Sequence, residues 1–340
     1  MTKLNVLICG STGYIGIQLI KLLIKHKNIN IKYLCGSSSA GKSITYFDKS
    51  LKYKKLPNII KFNYKLLKNI DVVFTALPNG DAQIISNLLL PNNILIDLSA
   101  DFRLSKAKDY LKWYKIKHKS KKNISNSIYA LPEISKNNVK KYKIISCPGC
   151  YPTSILLPLI PLIKKKLITT NNIIIDSKSG YSGAGRGVHK KYKNKNLNES
   201  LSAYGVGFHR HNSEIKQELE KYAKKNVNFN FTPHLTPMFR GILSTIYVDL
   251  KYNSSLSKIE NELRKIYKKN YFIKILKQNT FISTNDVINT NFCHISICKT
   301  KYKNKIIILS ALDNLIKGGA GQAVQNLNIY YNFNIKRGLL

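Results

Sequence analysis

The feature that most constrains the fold lies near the first residues, where an apolar run is followed by regularly spaced glycines and a second apolar run. Residues 4–9 have the pattern of a buried strand and residues 14–26 that of a helix. Strand, glycine turn and helix in this order are the setting of a dinucleotide fingerprint, in which the backbone approaches a pyrophosphate at the helix start. The predicted cofactor-binding residues of this turn are Gly10, Ser11, Thr12, Gly13, Tyr14, Ile15 and Gly16.

Alternating strand and helix patterns continue through the first half of the chain and predict an α/β Rossmann domain with a doubly wound, mostly parallel sheet. Its further strands are expected at 29–35, 71–77, 93–98 and 144–146, with a helix at 81–90 and a lysine-rich surface excursion at 106–126. The second half predicts an α+β domain with strands at 172–176, 242–250, 273–276, 293–298 and 306–311 and helices at 214–224 and 256–269. A C-terminal helix after residue 313 is expected to return to the first domain. The predicted division is 1–149 with 312–340 for cofactor binding and 150–311 for substrate binding and dimerisation.

The loop after the second strand indicates which dinucleotide is bound. An NAD site usually has an acidic residue there for the ribose 2′-hydroxyl. This chain has hydroxyls and a cation instead, at Ser37, Ser38 and Lys42. These groups suit a 2′-phosphate, so NADP(H) is the predicted cofactor; the alternative is a flexible polar loop.

The net charge of +39 raises the question of nucleic-acid binding. Arginine occurs at only six positions, and the many lysines are scattered through loops and helix faces. Scattered lysine binds any polyanion weakly, so no specific nucleic-acid partner is expected. The apolar stretches are short and interrupted, which predicts no membrane span, and six cysteines are too few for a disulfide scaffold. A cytoplasmic location follows as the expectation.

Residues 146–153, Ser-Cys-Pro-Gly-Cys-Tyr-Pro-Thr, precede a further apolar run. Pro-Gly favours a tight turn and Pro152 suits the first turn of a helix, so Cys150 is expected at a helix start. The positive helix end favours thiolate over thiol, and the thiolate is the nucleophile.

Two loops of the second half contain further candidates. Residues 177–187 are rich in glycine and serine and could hold a phosphate together with Arg186. His209 and His211 flank an arginine ahead of a helix, with Asn212 or Ser213 as its expected N-cap, and either histidine could be a general acid–base group. The alternative of a zinc site with Cys147 and Cys150 is disfavoured because His-x-His is tighter than the usual ligand spacing, so no metal is predicted.

Together these motifs resemble the N-acetyl-γ-glutamyl-phosphate reductase family of the aspartate-semialdehyde dehydrogenase superfamily. The resemblance covers essentially the whole chain and includes segments 10–16, 38–42, 98–104, 148–153, 179–187, 209–215, 232–241 and 313–328. It implies an NADPH-dependent reduction of an acyl phosphate to a semialdehyde on the arginine pathway, through a thioacyl intermediate on Cys150. It also implies a homodimer or homotetramer.

The resemblance assigns roles to individual residues. His209 would be the acid–base group, with His211 as the second choice, and the N–H groups of Gly149 and Cys150 would stabilise the oxyanion. Arg186 and Arg240 would hold the anionic substrate, as would Ser179 and Gly149. The remaining cofactor contacts would come from Ser182, Gly183, Gly318, Gln322 and Asn326. Two alternatives remain open: a related reductase acting on aspartyl phosphate or a carrier-linked aminoadipyl phosphate, and a basic protein that binds polyanions.

Overall fold

The computed structural model describes residues 3–187, 199–252 and 254–340 of the chain. These described residues fall into two compact units, one within the bounds 1–148 and 319–340 and the other within 149–318. Residues 312–318, assigned to the first domain from the sequence, group with the second unit. The reason is local: Asp313 accepts a hydrogen bond from Arg240 Nη1 and Asn314 accepts one from the Gly241 N–H, and these partners belong to the second unit.

The described strands fall into two sheets. The strands of the first unit are β1 Leu4–Cys9, β2 Ile29–Cys35, β3 Ile59–Ile60, β4 Val72–Thr75, β5 Ile94–Asp97, β6 Ser127–Tyr129 and β7 Ile144–Ser146. Those of the second are β8 Ile173–Gly180, β9 Ser202–Ala203, β10 Phe229–Thr236, β11 Ile242–Asp249, β12 Ile273–Ile275, β13 Cys293–Lys299 and β14 Lys305–Leu312.

Among the described residues, the α-helices with both ends defined are, in chain order, α1 Tyr14–Leu23, α2 Asp81–Ser86, α3 Ala107–Tyr114, α4 Pro132–Ser135, α5 Cys150–Lys164, α6 His211–Ala223, α7 Leu256–Tyr267 and α8 Gly321–Tyr330. Short 3₁₀ turns lie at Ile44–Tyr46, Lys49–Leu51, Tyr64–Asn69, Lys121–Asn123, Val139–Lys141, Tyr181–Ala184 and Thr284–Asp286. A π-helical turn, Ile316–Ala320, leads directly into α8.

The first sheet has the order β3-β2-β1-β4-β5-β7-β6, and every neighbouring pair is parallel. Parallel strands joined by crossovers are buried on both faces, which accounts for the nearly continuous apolar sequence of β1 and β4. The carboxyl ends of such strands are where ligands of doubly wound folds bind. The predicted α/β Rossmann fold is confirmed.

The second sheet is mixed, with the order β12-β13-β14-β11-β8-β10-β9. Helices α5 and α7 pack against its central strands and its β12 side, and α6 packs on α5. Strand β11 alternates buried and half-buried residues, so one face of the sheet meets these helices and the other is more open. The predicted α+β organisation is confirmed.

Several element boundaries differ from the prediction. Strand β8 continues to Gly180, so the first part of the glycine-rich segment belongs to the sheet. Strand β10 was missed, because Pro233 and His234 interrupt its apolar pattern. Helix α6 begins at His211 rather than Glu214, and the predicted side-chain cap was wrong: its N-cap is Arg210, which makes no capping hydrogen bond through its side chain.

The lysine-rich segment 106–126 is more than a surface excursion. It contains α3, whose Tyr110 and Tyr114 rings are buried and stacked with their centroids 4.6 Å apart. The Tyr110 hydroxyl donates to Asp101 Oδ1 at 2.5 Å, which fixes the segment to the carboxyl edge of the first sheet. The lysines of the segment face solvent, whereas Tyr110 and Tyr114 are buried, so the prediction of a surface excursion was wrong for these two aromatic residues.

Helix α5 contains two prolines, Pro158 and Pro161, yet it is continuous and almost wholly buried. A proline removes the N–H that would bond the carbonyl four residues earlier. For Pro161 that carbonyl is Leu157, and the Tyr267 hydroxyl of α7 donates to it at 2.5 Å. A side chain from a neighbouring helix therefore replaces the missing backbone donor.

None of the helices in the described ranges combines the length and the apolar character needed to cross a bilayer. Within the same ranges, no cluster of three or more histidine, cysteine, aspartate or glutamate residues is arranged to hold a metal ion.

Candidate active site

The glycine turn after β1 has the geometry that the fingerprint requires. A Cβ on Gly10, whose φ is +81°, would lie 2.2 Å from the Ala76 carbonyl oxygen, and one on Gly16 would lie 2.2 Å from the Gly10 carbonyl oxygen. Gly13 differs, since its nearest neighbour would be 3.7 Å away. Gly10 and Gly16 thus allow close packing of strand and helix, whereas a Cβ on Gly13 would make only an ordinary van der Waals contact with the Gly10 carbonyl oxygen.

The first turn of α1 follows at once, with Gly13 as its N-cap. The first N–H groups of a helix have no acceptor within the helix and attract anions. Thr12, Tyr14 and Ile15 are half-buried here, whereas Ser11 is buried and donates to the Cys35 carbonyl at 3.2 Å. The structure therefore gives Ser11 a supporting position and leaves the other residues at the open edge.

The loop after β2 presents Ser37, Ser38 and Lys42 as exposed side chains. Lys42 Nζ lies 4.8 Å from the ring centroid of Tyr46, itself exposed. Cation–π contact at this distance restricts the lysine without neutralising it. The three residues predicted to bind the 2′-phosphate lie on one loop beside the glycine turn, because this loop follows β2 and β2 pairs with β1.

A buried acidic network, which the sequence did not reveal, supports the loops after β4 and β5. Asp97 accepts from the Thr75 hydroxyl at 2.8 Å and the Ser99 N–H at 2.8 Å, and Asp101 accepts from the Gly80 N–H at 2.7 Å. Burial, followed by the charge of Asp101, raises the pKa of Asp97 to about 6. Both carboxylates accept hydrogen bonds from the backbone N–H groups of these loops. Their role is therefore to fix the conformation of the loops at the carboxyl edge of the sheet.

Cys150 is the first residue of α5, as predicted, and its side chain is half-buried. A Cβ on Gly318 would lie 2.7 Å from Cys150 Cβ, so only glycine fits at 318 beside this cysteine. Cys147, by contrast, is fully buried, and burial raises the pKa of its thiol to about 12. Of the two cysteines in the octet, Cys150 has the position of a nucleophile.

His211 lies against the turn that carries Cys150. A Cβ on Gly149 would be 2.4 Å from His211 Nε2, so the imidazole occupies the space of the absent side chain. Glu214, fully buried and three residues further along α6, places Oε1 3.7 Å from His211 Nε2 and accepts the Gly149 N–H on Oε2 at 2.9 Å. The predicted use of the Gly149 N–H for an oxyanion is therefore wrong in this structure, because a carboxylate already accepts it.

His209 lies one ring away, inside an aromatic enclosure. Its centroid is 5.8 Å from Tyr151, 5.3 Å from Tyr204 and 5.7 Å from Phe231. Burial, followed by the charge of Arg210, lowers the pKa of His209 to about 4, so the ring is neutral near pH 7. The backbone N–H of His211 donates to Nδ1 of the His209 ring at 3.2 Å. The proton of the neutral His209 ring is therefore on Nε2.

In the second unit, the predicted substrate residues Ser179, Arg186 and Arg240 and the predicted cofactor residues Ser182 and Gly183 differ in exposure and in their partners. Ser179 is buried, and Ser182 accepts a hydrogen bond from Asn314 Nδ2 at 3.0 Å; Gly183 is exposed close to both. Arg240 Nη1 donates to Asn289 Oδ1 at 2.7 Å and pairs with Asp313 at 3.1 Å. Arg186 is exposed. The substrate roles of these arginines remain predictions, and Arg240 already has a carboxylate partner.

Of the predicted cofactor residues of the C-terminal segment, Gln322 and Asn326 are buried in the first unit, and Gly318 is the last residue of the second unit. Gln322 Nε2 donates to the Pro148 carbonyl at 3.2 Å, and Asn326 Nδ2 donates to the Ala130 carbonyl at 2.9 Å. Within the described part of the chain, Asn326 Oδ1 is buried and has no hydrogen-bond partner. Asn326 Nδ2 also donates to Cys147 Sγ at 3.7 Å, so both side chains contact the segment before Cys150, and Asn326 keeps one acceptor available.

The important residues that the sequence reasoning missed are Glu214, Tyr151 and the pair Asp313 and Asn314. Glu214 could have been found from its i,i+3 spacing to His211, had the helix start been placed at residue 211. Tyr151 directly follows the cysteine, yet its ring contacts with both histidines depend on tertiary structure. Asp313 and Asn314 begin one of the segments that carry the resemblance, yet nothing in the sequence predicts their hydrogen bonds to Arg240 and Gly241.

Comparison with known proteins agrees with this arrangement. Residues 5–142 match the family model described as semialdehyde dehydrogenase, NAD binding domain, and residues 150–314 match the one described as semialdehyde dehydrogenase, dimerisation domain. N-acetyl-gamma-glutamyl-phosphate reductase of Clostridium novyi is 42% identical over 98% of this chain and 96% of its own length. The chain belongs to the N-acetyl-gamma-glutamyl-phosphate reductase family. It is thus an oxidoreductase with a nicotinamide-nucleotide domain, as predicted.

Other members and solved structures are consistent with this family. A probable chloroplastic N-acetyl-gamma-glutamyl-phosphate reductase of Arabidopsis thaliana is 39% identical over 97% of this chain and 82% of its own length. Among solved structures, aspartate semialdehyde dehydrogenase II of Vibrio cholerae superposes with a TM-score of 0.72 at 15% identity, covering 98% of this chain and 99% of that one. At that identity the likeness shows the shared fold of the reductase family and the semialdehyde dehydrogenases.

Proposed function

We propose that this chain reduces N-acetylglutamyl 5-phosphate to N-acetylglutamate 5-semialdehyde with NADPH, releasing phosphate, as a step of arginine biosynthesis. The observation that carries the proposal is the group formed by Cys150 at a helix start, His211 against Gly149, and the buried carboxylate of Glu214. Acyl transfer requires a nucleophile, a base and a carboxylate that orients the base, and Cys150, His211 and Glu214 are the residues for these three roles.

His211 is the proposed acid–base group in place of His209. A base with a pKa near 4 takes up a proton poorly at neutral pH, and that is the condition of His209. His211 lies directly beside the cysteine turn, and Glu214 stabilises its protonated form by charge. His209, with its proton on Nε2, is suited to donate a hydrogen bond to the substrate instead.

The proposed reaction has two stages on Cys150. The thiolate attacks the acyl carbon, a C–S bond forms and the C–O bond to phosphate breaks, while His211 takes the thiol proton and passes it to the departing inorganic phosphate. Reduced nicotinamide, when bound, supplies a hydride for the thioester carbon. The C–S bond then breaks, which returns the thiolate and yields the aldehyde.

The residues of the first unit fit NADP(H). Gly13 is the N-cap of α1, so the first N–H groups of that helix are placed for the pyrophosphate, and Ser37, Ser38 and Lys42 supply the donors and the charge for a 2′-phosphate. Asn326 Oδ1, buried and without a partner among the described residues, is the proposed acceptor for the carboxamide of the nicotinamide. Accordingly, we assign cofactor binding to the first unit and substrate binding to the second; a cytoplasmic location remains a prediction from cysteine usage.

The second sheet offers a surface for pairing of two copies. Ile174, Tyr247 and Ile307 form one cross-strand row, and Thr245 and Leu309 lie beside them, all half-buried or exposed on the face opposite the helices. Apolar rows on an open sheet face are suited to a self-complementary interface. The match to a dimerisation domain supports a homodimer formed through this face.

The decisive test is turnover of N-acetylglutamyl phosphate with NADPH and NADH, with aspartyl phosphate as the competing substrate, followed by absorbance of the reduced nicotinamide. Cys150→Ser should lower kcat by about 10³-fold or more, since the thioacyl route is removed. Cys147→Ser, at the buried cysteine three residues earlier, should retain most activity. Preference for aspartyl phosphate, or an active Cys150→Ser enzyme, would refute the proposal.

A further inference from the structure

Tyr151 occupies a central position between the cysteine turn and the two histidines. It directly follows Cys150, and its ring is 2% exposed. Its centroid lies 5.8 Å from His209, 5.9 Å from His211 and 5.3 Å from Phe231, in each case edge to face. One side chain therefore contacts both imidazoles from the first turn of the helix that carries the nucleophile.

The hydroxyl of Tyr151 is held as firmly as its ring. It donates to the His234 carbonyl at 3.0 Å and accepts from the Tyr204 hydroxyl at 3.3 Å. His234 lies in β10, which is paired with β8 through eight residue positions. The anchor is thus a strand paired on both sides, with β8 and β9, whereas His209 lies in a loop.

Burial raises the pKa of the Tyr151 phenol far above its ordinary value, so the hydroxyl stays protonated. It remains a hydrogen-bond donor throughout the working pH range and takes no part in proton transfer. Any effect of Tyr151 on the reaction must therefore act through the groups it contacts.

We propose that Tyr151 is a positioning residue that fixes both histidines relative to Cys150, with its ring as the spacer and its hydroxyl as the anchor to β10. This inference rests on the proposed function for its catalytic consequence. Edge-to-face rings contribute about 0.5–1.5 kcal/mol each beyond burial, enough to keep a loop histidine in one orientation. Without the ring, His209 also loses one wall of the enclosure that keeps it dry.

Two substitutions separate the ring from the hydroxyl. Tyr151→Phe keeps the spacer and removes the anchor, and we expect kcat to fall about tenfold with KM for the acyl phosphate within about twofold. Tyr151→Leu removes both, and we expect a loss of about 10²-fold in kcat, because misplacement by about 1 Å has an effect of that size.

Tyr267 provides the matched control. It is also a buried tyrosine of the second unit whose hydroxyl donates to a backbone carbonyl, that of Leu157 on the same helix α5. Tyr267→Phe should leave kcat within about twofold while lowering stability by about 1 kcal/mol, the contribution of one hydrogen bond. Equal losses of kcat in the Tyr151 and Tyr267 variants would show a general packing effect and overturn the proposal.

A titration that needs no turnover completes the test. In protein with ¹³C-labelled histidine, the His209 signal, assigned by its loss in His209→Asn, should titrate near 4 in the wild type and in Tyr151→Phe. In Tyr151→Leu it should move up towards the ordinary value of 6.5, because the ring becomes hydrated. An unchanged titration in Tyr151→Leu, or wild-type kcat in Tyr151→Phe, would overturn the proposal. Failure of the reductase assay in the wild type would instead contradict the proposed function and leave this titration interpretable.

Discussion

Gly149→Ala tests the arrangement of the catalytic turn with the smallest possible change. Gly149 has φ −66° and ψ 158°, which alanine adopts without strain, so the backbone tolerates the substitution. The added methyl would lie 2.4 Å from His211 Nε2, 2.8 Å from Cδ2 and 2.9 Å from Cε1. An ordinary contact begins near 3.4 Å, so the imidazole must withdraw by at least 1.0 Å.

A displacement of that size at a general base should lower kcat by about 10²-fold. Stability should change much less. Overpacking costs about 1–3 kcal/mol, and replacement of glycine at a compatible position returns about 0.4–1 kcal/mol through the unfolded chain. We therefore expect a nearly normal denaturation curve together with a strongly impaired enzyme.

The assay is steady-state turnover of the acyl phosphate beside urea unfolding, repeated in a His211→Ala background. With the imidazole gone, the methyl added at position 149 occupies empty space, so its destabilising effect should disappear and the coupling free energy should be at least about 1 kcal/mol. A Gly149→Ala enzyme with kcat within about threefold of wild type would refute the reasoning, because the ring would then not need its present position.

Two further predictions concern the first unit. Lys42→Ala should raise KM for NADPH about tenfold and leave KM for NADH nearly unchanged, since only the 2′-phosphate loses a charged partner; equal changes for the two cofactors would contradict the assignment. The raised pKa of Asp97, about 6 against 3.8 for the free side chain, means that its contribution to stability is present below about pH 4 and is lost as the pH rises to about 6. Urea unfolding at several pH values should therefore show the free energy of unfolding falling across this window relative to Asp97→Asn, and parallel pH dependences in the two proteins would exclude the buried titration.

The sequence predicts the glycine turn and five of the seven strands of the first sheet, because these depend on local patterns, but it misses the short edge strands β3 and β6. Strand β1 and the start of α1 follow from apolar runs and glycine spacing within a short segment. Strand β10 escaped because a proline and a histidine interrupt its pattern, while pairing with β8 and β9 decides its structure. Tertiary contacts there outweigh local preference.

The site was predictable as a set of residues but not as an arrangement. Cys150 was recognisable from a Pro-Gly turn before an apolar helix, and both histidines from their place at the start of α6, with His209 before its N-cap and His211 as its first residue. Their separate roles depend on Glu214 and on the space left by Gly149, which brings together residues more than sixty positions apart. No spacing rule contains that information, so only the fold could indicate which of His209 and His211 is the acid–base group.

The two prolines of α5 have a consequence for how members of this family can diverge. Because Pro161 has no N–H, the Leu157 carbonyl is available to the Tyr267 hydroxyl. A replacement of Pro161 by any other residue restores an amide that competes for the same carbonyl, and the tyrosine then loses its selective advantage over phenylalanine. Positions 161 and 267 should therefore covary among relatives, because the proline at 161 leaves the Leu157 carbonyl to the hydroxyl of the tyrosine at 267.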